Sequence, residues 1–241
     1  MTMRTLLTVT ALVLVAGCGS NAEPTAKKAS EKPADIPARE FPTEWGDTID
    51  NPWLPMAVGA KWTYEKTTED GREQVVVTVT DEKKTIDGVK ATGVNERVTE
   101  DGTVIEDSHT WYAQDAEGNV WNLGERTEAY EDGRVETEGW EAGVDGAEAG
   151  IAMLAEPKMG DVYRQMYQEG EAEDRAKILS TDESVKGPAG SWSGVLQTED
   201  TTPLEPDLVE HKFYAKGVGP VEQRAVEGEE EKVVLTKYDK P

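Results

Sequence analysis

The sequence predicts an all-β, mostly antiparallel fold: one large curved sheet, a half-barrel or two packed sheets, carried on a disordered N-terminal tether. Three observations predict it. Val75, Val77 and Val79 alternate with polar neighbours, as do Val162, Arg164 and Met166 against Tyr163, Gln165 and Tyr167, and a period of two is that of half-buried strands. Turn signals recur between such runs, at Glu69-Asp70-Gly71-Arg72, Asp87-Gly88, Glu100-Asp101-Gly102-Thr103, Glu117-Gly118-Asn119 and Glu131-Asp132-Gly133-Arg134. Asp-Gly pairs supply the positive φ angles of tight hairpins, and a spacing of roughly 15 residues suits a meander of long neighbouring strands. Lastly, no stretch of the domain reads as a helix of more than about two turns.

The elements follow in chain order. Residues 1–17 read as an export signal: a free amine and Arg4, the apolar run Leu6 to Ala16, then Val15-Ala16-Gly17-Cys18. An apolar run of about eleven residues is too short for a membrane-spanning helix, which needs about 20. The final four residues resemble the lipobox of bacterial lipoproteins. That resemblance implies cleavage between Gly17 and Cys18, a diacylglyceryl group on the Cys18 thiol, and a mature protein anchored on the extracytoplasmic face of the cell membrane. Acyl chains such as palmitate contribute about 0.8 kcal/mol per buried methylene, so two or three of them hold a protein stably. Cys18 is the only cysteine, which excludes an internal disulfide and any cysteine-based metal or redox pair.

Residues 18–40 are Ala, Lys, Glu, Pro and Ser with almost nothing apolar, and such a segment buries too little surface to offset its chain entropy. They form the tether. The acidic β domain is set at 41–241, opening with an irregular lead-in, Phe41 to Trp53, that packs against it. Within the domain, Glu169 to Ile178 reads as a strand through Ala172, Asp174, Ala176 and Ile178. Gly139 to Met159, rich in Gly and Ala, reads as a long crossing loop with at most one helical turn around Ile151 to Leu154. Pro55 to Trp62 and Pro157 to Tyr163 each run from proline through glycine to an aromatic that opens a strand, as the two halves of one large sheet would.

Three motifs resemble a family of uncharacterised bacterial secreted lipoproteins, in the style of the periplasmic domains called DUF3108 or TapB-like. They are Asn51-Pro52-Trp53-Leu54-Pro55 with Gly59, Trp62 and Tyr64; Gly187-Pro188-Ala189-Gly190-Ser191-Trp192, with Gly187 where the family carries an aliphatic residue; and Phe213-Tyr214-Ala215-Lys216-Gly217-Val218-Gly219-Pro220-Val221. Trp111-Tyr112-Ala113-Gln114-Asp115 with Gly118-Asn119-Val120-Trp121 is similar to the same group. The resemblance spans about residues 51–225. It implies a curved antiparallel sheet, such as the half-barrel of lipoprotein carriers, and brings no catalytic residue with it.

Charge and side-chain inventory bound the function. Lys plus Arg number 25 against 49 Asp plus Glu, a net charge of −24 that repels nucleic acid and anionic headgroups alike, so the membrane is met only through the anchor. An enzyme is not expected. His109 and His211 are the two histidines, and Ser108 beside His109 faces the opposite side of a strand. Gly190-Ser191-Trp192-Ser193-Gly194 lacks the spacing of a nucleophile elbow. No cofactor or metal ligand set is expected, although Asp115, Glu117 and Asn119 offer oxygens at alternate positions, as weak calcium loops do. Of seven tryptophans, Trp45, Trp53 and Trp140 fall in loops or lead-ins and are the candidate ligand surface. The expected role is a binding or interaction module for an envelope protein or polymer. The alternative is a carrier of a lipid or other apolar ligand in the hollow of the sheet. The sequence leaves the oligomeric state open. The concave face discriminates: open and apolar in a carrier, filled in an interaction module, polar with converging ionisable groups in an enzyme.

Overall fold

A computed structural model describes residue 36, residues 38–131 and residues 133–241. Cys18 and most of the tether, residues 18–35 and 37, therefore lie outside the described residues. Among the described residues there are fourteen strands and no helix. They are β1 (Lys61–Thr68), β2 (Arg72–Ile86), β3 (Val89–Glu100), β4 (Thr103–Gln114), β5 (Val120–Glu131), β6 (Arg134–Glu141), β7 (Glu148–Met153), β8 (Val162–Arg164), β9 (Met166–Tyr167), β10 (Arg175–Gly187), β11 (Gly190–Thr201), β12 (Val209–Ala215), β13 (Gly219–Glu227) and β14 (Glu231–Asp239). All pair antiparallel in one sheet, in the order β8-β10-β11-β12-β13-β14-β1-β2-β3-β4-β5-β7-β9, with β6 also on β5.

Each expected turn joins two of these strands. Asp87 and Gly88 both have positive φ, 44° and 79°, and so do Asp101 and Gly102, 48° and 80°, the backbone that a two-residue hairpin requires. The valines of β2 that alternate in sequence, Val75, Val77 and Val79, are 3%, 3% and 1% exposed and point to one face. Trp62 and Tyr163, the aromatics that open β1 and β8, are both buried in the same core cluster.

The sheet does not close into a barrel, yet it wraps far enough to enclose its own inner face. Tyr112 of β4 and Tyr214 of β12 share one buried cluster although five strands separate them in the sheet order. One short segment also touches both edges. Val162–Arg164 pairs with β10, and two residues on Met166–Tyr167 pairs with β7 at the other edge. This crossing breaks the expected alternation, because Tyr163, Gln165 and Met166 are all buried where the chain passes from one edge to the other. Gly150 of β7 is what lets the chain cross so closely: a Cβ there would lie 2.6 Å from the Met166 amide nitrogen and closer still to the Gln165 carbonyl.

Two expectations are corrected. The stretch 139–159 is not a crossing loop with a helical turn, since it completes β6 and supplies β7, which pairs with the Val120–Asn122 end of β5. Nor is 169–178 one strand. Residues 168–172 form a tight turn closed by Gln168 and Ala172, and β10 starts only at Arg175. A second apolar cluster, including Ile86, Leu123, Trp111, Trp140 and Met166, packs on the outer face at this end, because Trp111 and Tyr112 are strand neighbours and face opposite ways.

Candidate functional site

The lead-in is built as a strap over one end of the sheet. Glu44 to Gly46 adds to the end of β4: the Gly46 amide donates to the Gln114 carbonyl (2.8 Å) and the Ala116 amide to the Glu44 carbonyl (3.1 Å). Arg164 Nε donates to the Ile36 carbonyl at 2.8 Å, so the packed chain begins at least as early as residue 36. Asn51, 2% exposed, is the hub of the strap. Its Nδ2 donates to the carbonyls of Gly118 (2.9 Å) and Leu154 (3.1 Å), and its Oδ1 accepts from the amides of Trp53 (2.9 Å) and Leu54 (3.2 Å). Gln114 Oε1 accepts from the amides of Asp50 and Asn51 at 2.9 and 2.8 Å. The Gly217 amide then ties the Pro52 carbonyl to the β12–β13 turn at 2.7 Å. The motifs at 51–55, 111–121 and 213–221 therefore meet in space, and their polar residues satisfy buried backbone groups.

Asp115 belongs to this construction. Its carboxylate accepts from the Asn119 amide (2.8 Å), Asn119 Nδ2 (2.9 Å) and Trp121 Nε1 (2.8 Å), which commits both oxygens to the turn. Among the described residues no three His, Cys, Asp or Glu side chains form a metal-binding group.

Of the three tryptophans expected at the surface, two are buried. Trp53 is 5% exposed with Lys216 over its ring, and Trp140 is 6% exposed in the outer-face cluster. A loop position in sequence does not expose a ring when the loop is itself a strap. Trp45 is half-buried, packed on Phe41 and Trp121 with centroids 5.3 and 6.1 Å away. The histidines are far apart, on β4 and β12 with five strands between them. His211 is half-buried on the face of Val209 and Phe213, its Nδ1 3.0 Å from Gln197 Nε2, and burial lowers its pKa. His109 Nε2 lies 3.6 Å from Asp107 Oδ1.

The inner face holds what sequence patterning missed, a buried layer of charge. Lys66, Glu96, Glu106, Glu125, Asp174, Asp200, Glu210 and Lys212 are each at most 5% exposed. Lys66 Nζ lies 3.3 Å from Glu73 and 3.1 Å from Glu231, and Gln223 Nε2 links Glu231 (3.3 Å) to Glu210 (2.9 Å). Lys212 Nζ lies 3.0 Å from Asp200 Oδ2, which also accepts from Gln165 Nε2 at 3.2 Å, while Thr198 Oγ1 donates to Asp200 Oδ1 at 2.5 Å. Burial opposes the charge on each lysine, and the neighbouring carboxylates more than offset it, so both pKa values are raised. Burial pushes Asp174 up to about 8 and Glu210 up to about 7, with Lys212 pulling each back down.

Two small spaces remain inside. One of about 20 Å³ lies among Leu54, Met56, Trp62, Val94, Glu96 and Tyr112, and one of about 10 Å³ lies between Asp174, Asp200 and Lys212. Each has room for about one water molecule. The larger spaces are open surface grooves. One of about 560 Å³ runs between Arg39–Glu44 of the strap and the 115–121 turn, and one of about 400 Å³ lies along Lys84, Trp111, Arg126, Gly139 and Trp140.

No family model matches the chain. No curated protein matches it either. Among solved structures it is similar to a Bacteroides fragilis protein described as exported and of YmcC-like fold, 17% identical over 78% of this chain and 99% of that one, with a TM-score of 0.46. It is also similar to a Parabacteroides distasonis protein described as a lipoprotein, 12% identical over 80% of this chain and 100% of that one, with a TM-score of 0.43.

Proposed function

We propose that this chain is an exported lipoprotein, held on the extracytoplasmic face of the membrane by acyl chains on Cys18, whose folded domain is an interaction module of the cell envelope. The observation that carries the choice is the packed hollow. A carrier encloses its ligand in a cavity of about 300 Å³ or more, lined mostly by apolar groups. The two spaces described on the inner face are about 20 and 10 Å³, and buried charged side chains border both, Glu96 the first and Asp174, Asp200 and Lys212 the second. The same burial argues against an enzyme built on these ionisable groups, because Glu96, Glu210 and Lys212 are at most 2% exposed and meet no solvent-borne substrate.

What the fold leaves open is its surface, and the partner is a protein or polymer that docks there. A net charge of −24 directs the module away from nucleic acid and from bare anionic lipid, and the anchor supplies membrane contact without the domain. Support for the anchor is the position of the single cysteine, which falls where the lipobox-like run Val15-Ala16-Gly17-Cys18 requires it. The test pairs two measurements on protein from its own host. Wild-type protein is expected in the membrane fraction with acyl mass on Cys18, and Cys18→Ala in the soluble fraction. Native mass spectrometry of a soluble version starting at residue 19 is expected to give a bare protein mass. A lipid retained by that version would restore the carrier reading, and a Cys18→Ala protein that stays in the membrane would end the anchor.

A further inference from the structure

The inner face buries more acid than base, and the excess is concentrated on three neighbouring strands. Glu96 of β3 pairs with Ser108 of β4, Ser108 with Thr127 of β5, and Thr110 of β4 with Glu125 of β5, which puts Glu96, Glu106 and Glu125 on one face. They are 2%, 5% and 4% exposed. Three hydroxyls donate to this layer. Thr110 Oγ1 and Thr127 Oγ1 donate to Glu125 at 3.0 and 3.3 Å, and Ser108 Oγ donates to Glu106 at 3.2 Å. Glu96 Oε1 is buried without a partner and borders the 20 Å³ space. The groups that face this layer are Tyr64 and Lys66 from β1, Tyr112 from β4, Asp174 from the segment before β10 and Lys212 from β12. Lys66 lies beside Glu73 and Glu231, and Lys212 beside Asp200, and both ammonium groups also draw on Glu96, less strongly than burial and its acidic neighbours oppose them. Carboxylates crowded in a dry layer do not all ionise, because each added charge meets both the desolvation cost and its neighbours.

We propose that Glu96 and Glu125, with Glu106 beside them, form a proton lock: the sheet stays closed over its hollow while these two carboxyls hold protons, and strands β3 to β5 loosen when the protons leave. Burial, aided by Glu106 and opposed by the Thr110 and Thr127 hydroxyls, pushes Glu125 up to about 8. Burial together with Glu106 and Glu125 raises Glu96 well above the ordinary carboxylate value. A carboxyl with a raised folded pKa binds its proton more tightly in the folded state. Its stabilisation is complete below the unfolded value and is lost as pH rises through the folded one. For Glu125 that window runs from 4.5 to about 8. Across it, each such group lowers the ratio of folded to unfolded protein by up to tenfold per pH unit.

The test measures urea midpoints and amide exchange of the full mature protein at about pH 5, 7 and 9, where a carboxyl of raised pKa passes from protonated to ionised. The midpoint is expected to fall with pH, with amides of β3–β5 losing protection before those of β10 and β11. Glu125→Gln and Glu96→Gln should each flatten the profile, whereas Glu136→Gln, on the exposed strand β6, should keep the wild-type slope and so report the general repulsion of an acidic chain. Infrared spectra of the wild type give a readout that needs no variant: a protonated-carboxyl band at neutral pH that disappears in alkali. A midpoint independent of pH, a wild-type slope in both glutamine variants, or the absence of that band would overturn the lock.

Discussion

Lys212→Met removes the cation at the centre of the interior while keeping the length and most of the volume of the side chain. Lys212 is 1% exposed, and its ammonium is 3.0 Å from Asp200, with Glu210 and Asp174 also drawing on it. Removing one partner of a buried pair leaves an uncompensated charge and costs about 3–5 kcal/mol. Here the upper part of that range applies, because three acids lose the same cation. The loss depends on pH. Lys212 lowers the pKa of Asp174 and Glu210, so without it both bind protons more readily, and protonation relieves the repulsion in acid. The deficit should therefore be larger at about pH 8 than at about pH 5. Asp200→Asn in the same chain removes the partner charge and should recover about half of the loss, a coupling that a double-mutant cycle reads directly. Urea unfolding followed by tryptophan fluorescence is a suitable assay, since five of the seven tryptophans lie in strands. A deficit under about 1 kcal/mol at about pH 8, or a double variant as unstable as the two single losses added, would refute the charge-compensation argument.

Two further substitutions probe the construction around that interior. Asn51→Ala removes the side-chain partner of the Gly118 and Leu154 carbonyls and of the Trp53 amide, while the Leu54 amide keeps the Asn51 backbone carbonyl, and each buried orphan costs about 1–3 kcal/mol, so a loss of about 3 kcal/mol in urea unfolding is expected after relaxation. Its amide-exchange signature should be local, greatest in residues 44–56 and 115–119 and least in β10 and β11. Gly150→Ala drives a methyl group into the backbone of Gln165 and Met166 where the crossing segment lies on β7, and a loss of at least about 2 kcal/mol is expected by the same measurement, since backbone yields less readily than a side chain.

The sheet was legible because its signals are local. Val75, Val77 and Val79 declare their face by alternation, and Asp87-Gly88 and Asp101-Gly102 declare their turns by the backbone they permit. The edge-joining segment was not, since Gln165 is buried by a contact with β7 and β10 that no local period encodes. Tryptophan burial failed for the same reason. Trp53 and Trp140 stand outside regular alternation, and only the strap and the return of β6 onto β5 show what covers them. The interior charge was the least legible feature. In sequence Glu96, Glu106, Glu125 and Glu210 are four of 49 acidic residues. Nothing distinguishes them from solvated neighbours until strand register turns them inward.

That interior also explains how a chain with so little apolar material closes a sheet of this size. Hydrophobic residues are 37% of the chain, with only two phenylalanines, while the wrapped sheet presents inner-face positions from nearly every strand. Tyrosines, threonines and paired ionisable groups fill the positions that leucine and phenylalanine take elsewhere. Buried pairs of this kind stabilise little against an apolar replacement but cost much when one member is lost. The closed state is therefore held by mutual compensation across neighbouring strands: Lys66 between β2 and β14, Lys212 between β11 and β12, Gln223 between Glu210 and Glu231. Admitting an apolar ligand to a hollow held closed in this way would separate those pairs. Recognition at the strap groove or the outer face, as the proposed interaction module requires, would leave them intact.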